Sequence, residues 1–246
     1  MKSKLICTSL VLSVVAASAL VSEPANGQAI IKHISNSSLA GKPLSRDSFS
    51  ISALNDAKTL ARTGDVDAQY QVGMLNHMRG AYSQAESWYR RAALRNHPLA
   101  AYNLGLMYYE GEGVERDYTT AFNWFEKAAE AGSPSAQFQL GLMHFHGQGV
   151  SKDPGKEAYW YRRAALGGNA EAQYNLAVLL SKGEGVEEDD VAALAWLAMA
   201  VDNGVDAQAQ LDESYQRMTT QERQAAAQKR VEFEAMIKRP RYLVGR

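Results

Sequence analysis

The four tryptophans of this 246-residue chain are Trp88, Trp124, Trp160 and Trp196, each 36 residues after the one before. A period of this length restricts the fold to a stacked array of one supersecondary unit, because no single unit of that size buries its own apolar face. Other positions keep step. Gly111, Gly147 and Gly183 recur at the same interval, as do Gly113, Gly149 and Gly185, then Val114, Val150 and Val186, then Asp117, Asp153 and Asp189. The pair Ala92-Ala93 returns as Ala128-Ala129 and Ala164-Ala165, and more loosely as Ala200-Val201. Gly132, Gly168 and Gly204 close three of the units.

Each unit reads as two helices. Ala100, Leu104 and Tyr108 step by four and share one face of the first. Two glycines in three residues, Gly111 and Gly113, then stop it. Asp117 is placed to cap the second helix, which carries Trp124 and the alanine pair and ends at Gly132-Ser133-Pro134. Small residues such as Gly105 and Gly141 let the helices approach, with the tryptophan expected to fill the space between them. The expected fold is therefore all-α, an αα-superhelical repeat solenoid of helix-turn-helix units with a 36-residue period.

The ends depart from the pattern. Gly73 to Trp88 is 15 residues, against 19 from Gly105 to Trp124, so the first unit has a loop four residues shorter, with Arg79-Gly80 as a tight turn. Ala53 to Arg62, followed by Gly64-Asp65, reads as the end of a preceding second helix. After the fourth unit, Ala207, Ala209 and Leu211 begin a partial repeat. Thr219 and Glu222 fit a capping box for a polar helix running to about Ile237, which would cover the last apolar face. The solenoid is expected over residues 50–206, with the partial repeat, capping helix and basic tail over 207–246.

The run Ala136-Gln-Phe138-Gln-Leu140-Gly141, then Gly147-Gln-Gly149-Val150, then Tyr159-Trp160-Tyr161 resembles the SEL-one-like repeat, a relative of the tetratricopeptide repeat. The resemblance spans about residues 53 to 212. It departs at the short first loop, at Ala177 in place of glycine, and at Glu157 where neighbouring units have Ala121 and Ala193. It implies an adaptor that assembles proteins, often periplasmic or secreted in bacteria, and it supplies no catalytic residues. A cysteine-rich branch of the family is associated with β-lactam binding or cleavage. The only cysteine here is Cys7, so the alternative of a peptidoglycan- or β-lactam-acting hydrolase lacks its carriers.

Lys2 and Lys4, an apolar run from Leu5 to Val21, and small residues at Ala17-Ser18-Ala19 or Ala25-Asn26-Gly27 have the form of a secretory signal peptide over residues 1–27. A polar, serine-rich lead over 28–49 follows. The expected mature protein is periplasmic or secreted, without stable membrane insertion. The full chain's formal charge of -1 gives no global footprint for nucleic acid.

No nucleophile–base–orienter set can be read, so no enzymatic role, small-molecule substrate, cofactor or metal is expected. His144 and His146 lie two apart and point to nearly opposite sides of a helix. The acidic run Glu187-Glu188-Asp189-Asp190 reads as solvated surface. Tyr70, Tyr102, Phe138 and Tyr174 read as core. The expected partners are other proteins, either in the envelope or, for a secreted factor, in a host. The candidate binding residues are the amides Gln71, Asn103, Gln139 and Asn175, equivalent positions on the first helices, whose side chains donate and accept toward an extended peptide backbone.

Overall fold

The computed structural model describes residues 51–238, all helix and connecting loop. The expected signal peptide, the polar lead and the basic tail with Arg239, Arg241 and Arg246 lie outside the described residues. Helix α1 (Ile51–Thr63) precedes four helix pairs: α2 (Val66–Met78) with α3 (Tyr82–Leu94), α4 (Pro98–Glu110) with α5 (Tyr118–Glu130), α6 (Pro134–His146) with α7 (Pro154–Leu166), and α8 (Ala170–Lys182) with α9 (Asp190–Asp202). Helices α10 (Gln208–Arg217) and α11 (Thr220–Lys238) follow. The two helices of each pair pack on one another, and each second helix packs on the first helix of the next pair.

Helix starts and stops follow from the repeated residues. Asp65, His97, Ser133 and Asn169 each accept a hydrogen bond from the backbone N–H of the alanine three residues on, capping the four first helices. Asp117, Asp153 and Asp189 do the same for three of the second helices. The first helices of units two to four end on left-handed glycines, Gly111, Gly147 and Gly183. The shortened first loop forms the expected tight turn over Arg79–Ala81.

Within each pair the contact centres on a small residue, and here the expectation is corrected. The side chain packed over it is the one after the tryptophan. A Cβ added to Gly73 would lie 2.6 Å from Tyr89 Cδ1, and one added to Gly105 would lie 2.6 Å from Phe125 Cδ1. Gly141 faces Tyr161 in the same way. Tyr89, Phe125 and Tyr161 are fully buried, whereas Trp88 and Trp124 are only half-buried. The fourth unit exchanges both members of the contact, with Ala177 and Leu197 buried in the equivalent places.

Two devices join neighbouring units. Buried Gln69, Gln137 and Gln173 donate through Nε2 to the carbonyls of Ala61, Ala129 and Ala165, at 3.1, 3.0 and 3.3 Å, each tying a first helix to the preceding second helix. The equivalent residue in the second unit is Ala101. The match of Gln69 with Ala61 identifies α1 as a second-type helix, as expected. The other device is the second loop glycine: a Cβ at Gly149 would fall 2.8 Å from the backbone N of Thr119, and one at Gly185 would fall 2.9 Å from that of Gly155. Each loop thus nests on the first turn of the preceding second helix.

The C-terminal end is closed differently. Ala207 is buried, but α10 buries no residue of its own, so the partial repeat packs little. The capping helix α11 does the covering. Thr219 and Glu222 form the expected reciprocal box. The Phe233 ring stacks on Trp196 at 4.2 Å and 9°. Lys229 pairs with Asp189 just before α9 and Arg230 with Asp202 at its end, so two adjacent residues reach both ends of α9. Asp189 therefore adds an ion pair to the cap expected from its period, which corrects its reading within the acidic run as plain solvated surface.

Candidate partner-binding surface

The first helices of the four pairs present one repeated face. Residues four, seven and eleven apart share a side of a helix, which groups Asp67, Gln71, Met74 and Met78 on α2. The equivalent sets are Leu99, Asn103, Leu106 and Glu110 on α4, then Ser135, Gln139, Leu142 and His146 on α6, then Glu171, Asn175, Val178 and Lys182 on α8. Gln71 is exposed, and Asn103, Gln139 and Asn175 are half-buried.

Three of the amides lie beside tyrosine hydroxyls. Burial pushes the hydroxyl of Tyr70 up from its usual range, and the Asn103 amide beside it pulls it partly back. Tyr102 is pushed up to about 12 by burial, with the Gln139 amide opposing. Burial likewise raises Tyr161, opposed by Asn175. Asn103 and Gln139 thus each lie beside a tyrosine from the first helix of the preceding unit, and Asn103 and Asn175 each beside one from its second helix. An amide has four hydrogen-bonding sites, so a neighbouring tyrosine hydroxyl leaves sites free for a partner.

Sequence reasoning missed what stands beside the amides. Leu106, Leu142 and Val178 are half-buried one turn further on and make an aliphatic stripe along the amide row, with Met74 buried at the fourth place. The signal was present as an apolar residue three positions after each amide. The buried glutamines were missed as well, although Gln137 and Gln173 are 36 apart. The row of Tyr70, Tyr102 and Phe138 packs against Tyr89, Phe125 and Tyr161 of the second helices, with centroids 6.0, 5.7 and 5.7 Å apart, so these rings belong to the core as expected.

His144 is 2% exposed, edge-on to Phe122, and its Nδ1 lies 3.4 Å from the Ser151 carbonyl, while His146 is exposed. Among the described residues no three His, Cys, Asp or Glu side chains gather as a metal site. Among them, too, no helix is long and apolar enough to cross a membrane.

The fold has solved counterparts. The chain is 29% identical to c5321, a protective antigen present in uropathogenic Escherichia coli strains and displaying an SLR fold, with a TM-score of 0.67 over 87% of this chain and 46% of that one. It is also 29% identical to a Sel1 repeat protein from Oxalobacter formigenes, with a TM-score of 0.62 over 67% of this chain and 49% of that one. The chain spans about half the length of these two structures. The Sel1 repeat family matches residues 66–97, 98–133, 134–169 and 170–205, so each matched block holds one of the four helix pairs. The chain belongs to the Sel1 repeat family.

Proposed function

We propose that this protein is a non-catalytic scaffold that binds a partner protein along the first-helix face of its four units. Sel1 repeat proteins generally mediate protein–protein interaction, and the family is typically a non-catalytic scaffold. The observation that carries the reading is the repetition of a half-buried amide beside an aliphatic side chain: Asn103 with Leu106, Gln139 with Leu142, Asn175 with Val178. An extended peptide offers backbone hydrogen-bonding groups and apolar side chains at regular intervals, and this face answers both. The charged N-terminus and apolar run of the sequence support export, with residues 1–27 removed and the partner met in the bacterial envelope.

The test is site-specific photo-cross-linking in the native cells. A photoreactive residue at Gln71 or Glu171 should trap one common protein, and the same residue at Asn123 on α5 should not. The triple variant N103A/Q139A/N175A should bind that protein at least about tenfold more weakly, roughly 1.4 kcal/mol, with unchanged helical circular dichroism. Equal trapping from Asn123, or unchanged affinity, sinks the proposal. Mass spectrometry of the mature chain tests export. The likeness to an E. coli protective antigen favours a second version, in which the protein is secreted and the adduct appears only outside the cell or with host proteins.

A further inference from the structure

Near the start of the second helices one core position is alanine in three units, Ala85, Ala121 and Ala193, all buried. In the third unit it is Glu157, and this residue is only 6% exposed. Its place matters as much as its burial. Glu157 lies in the first turn of α7, four residues after the capping Asp153. That turn is where the loop of the fourth unit lands, with Gly185 against the backbone of Pro154 and Gly155. The joint between the third and fourth units therefore closes over an ionisable side chain, whereas the joint before it closes over Ala121.

The charged groups acting on Glu157 come from the far side of the joint. Glu184, in the middle of the landing loop, opposes its ionisation, and Lys182 at the end of α8 favours it. Lys182 and Glu184 stand 3.9 Å apart and so partly neutralise one another. On its own helix Tyr161 lies one turn on, and the glutamate pushes its hydroxyl further up. Among the described residues neither α6 nor α11, which also pack on α7, brings a charge to it. Burial first, and the charge of Glu184 second, push Glu157 up to about 7 from an ordinary 4.5.

We infer that Glu157 is a proton-operated catch on the joint between the third and fourth units, closed when its carboxyl is neutral and loosened when it ionises under the Gly183–Gly185 loop. The direction follows from linkage. A carboxyl whose folded value is raised contributes its stabilisation fully below the unfolded value. That contribution is lost as pH rises through about 7. The catch acts on one joint of the array, the one separating Gln139 from Asn175.

The test needs no partner. Amide hydrogen exchange of the full-length protein is followed from pH 5.5 to 8.5, corrected for the chemical rate, in wild type, Glu157→Gln and Glu157→Ala. Alanine is the residue of the other units, so the second variant keeps the fold. Protection in the fourth-unit loop (183–189) should fall by about tenfold across this range in wild type, one pKa unit of difference between closed and open joint. The equivalent third-unit loop (147–153), where His144 acts in the opposite sense, should show no fall as pH rises, and neither loop should fall in either variant. Carboxyl NMR should place the Glu157 midpoint near 7. A midpoint in the ordinary glutamate range, the same pH dependence in Glu157→Gln, or equal loosening of both loops would overturn the inference.

Discussion

The ring of Phe125 occupies the space that a side chain at Gly105 would need, leaving 2.6 Å between its Cδ1 and a Cβ placed there. Neither partner can change alone. Gly105→Ala should destabilise the protein by about 1–3 kcal/mol through overpacking. The fourth unit carries the alternative solution, Ala177 with Leu197. The double variant Gly105→Ala/Phe125→Leu should therefore recover part of that loss. Urea midpoints of the two single variants and the double variant check this, and strictly additive losses would refute it.

Backbone conformation alone decides a second case. Gly168 has φ +86° and nothing within 4 Å of where a Cβ would lie. The equivalent residue in the first unit is Asn96, at φ 64°. Asparagine tolerates this left-handed region far better than a β-branched residue does. Gly168→Asn should stay within about 0.5 kcal/mol of wild type, while Gly168→Val should cost about 1–3 kcal/mol. Thermal denaturation of the two variants separates them.

The buried glutamines differ in how completely they are satisfied. Gln173 donates to Ala165 and accepts from Asn203 Nδ2 at 2.9 Å. Gln137, 2% exposed, donates to Ala129, but its Oε1 has no hydrogen-bond partner. Replacing Gln173 with leucine strands more polar groups, so it should cost about 1–3 kcal/mol. Gln137→Leu removes an unsatisfied oxygen along with its one bond and should cost less. The order of the two denaturation midpoints is the readout, and the reverse order would contradict this account.

His144 gives a pH prediction of opposite sense to Glu157. Burial lowers its pKa from 6.5, and Lys156 adds to that, against the Ser151 carbonyl, Asp153 and Glu126. The folded protein therefore prefers the neutral ring. Stability should be lost as pH falls below about 6.5, where the unfolded chain takes up the proton more readily. Leucine stands at the equivalent place in the fourth unit, as Leu180. In His144→Leu the difference from wild type should vanish above pH 7 apart from a constant, and grow in the variant's favour toward pH 5. A constant offset over the whole range would refute it.

The period made most of this fold legible, because it establishes which residues are equivalent. The caps at Asp117, Asp153 and Asp189, the second-type character of α1 and the Thr219 box could all be read directly. A period does not say which neighbour an equivalent position faces. Trp124 and Phe125 are adjacent, both aromatic and both recurrent in kind, and only the rotation of α5 decides which ring meets Gly105. The same ambiguity hid the glutamine ties, since Ala101 interrupts their row. At the partner face the amides stood out by residue type. The aliphatic row beside them was hidden because leucine three residues further on is read by default as core.

The nesting of Gly149 and Gly185 on the backbone of the preceding helix has a consequence for descent. Neighbouring units meet there through atoms that every residue type shares. This backbone part of the junction makes no demand on the identity of the flanking side chains. Recombination can therefore duplicate, delete or exchange whole units without inventing a new junction each time. Length becomes a heritable quantity adjustable in steps of one unit, while the outward residues of each copy drift toward new specificities.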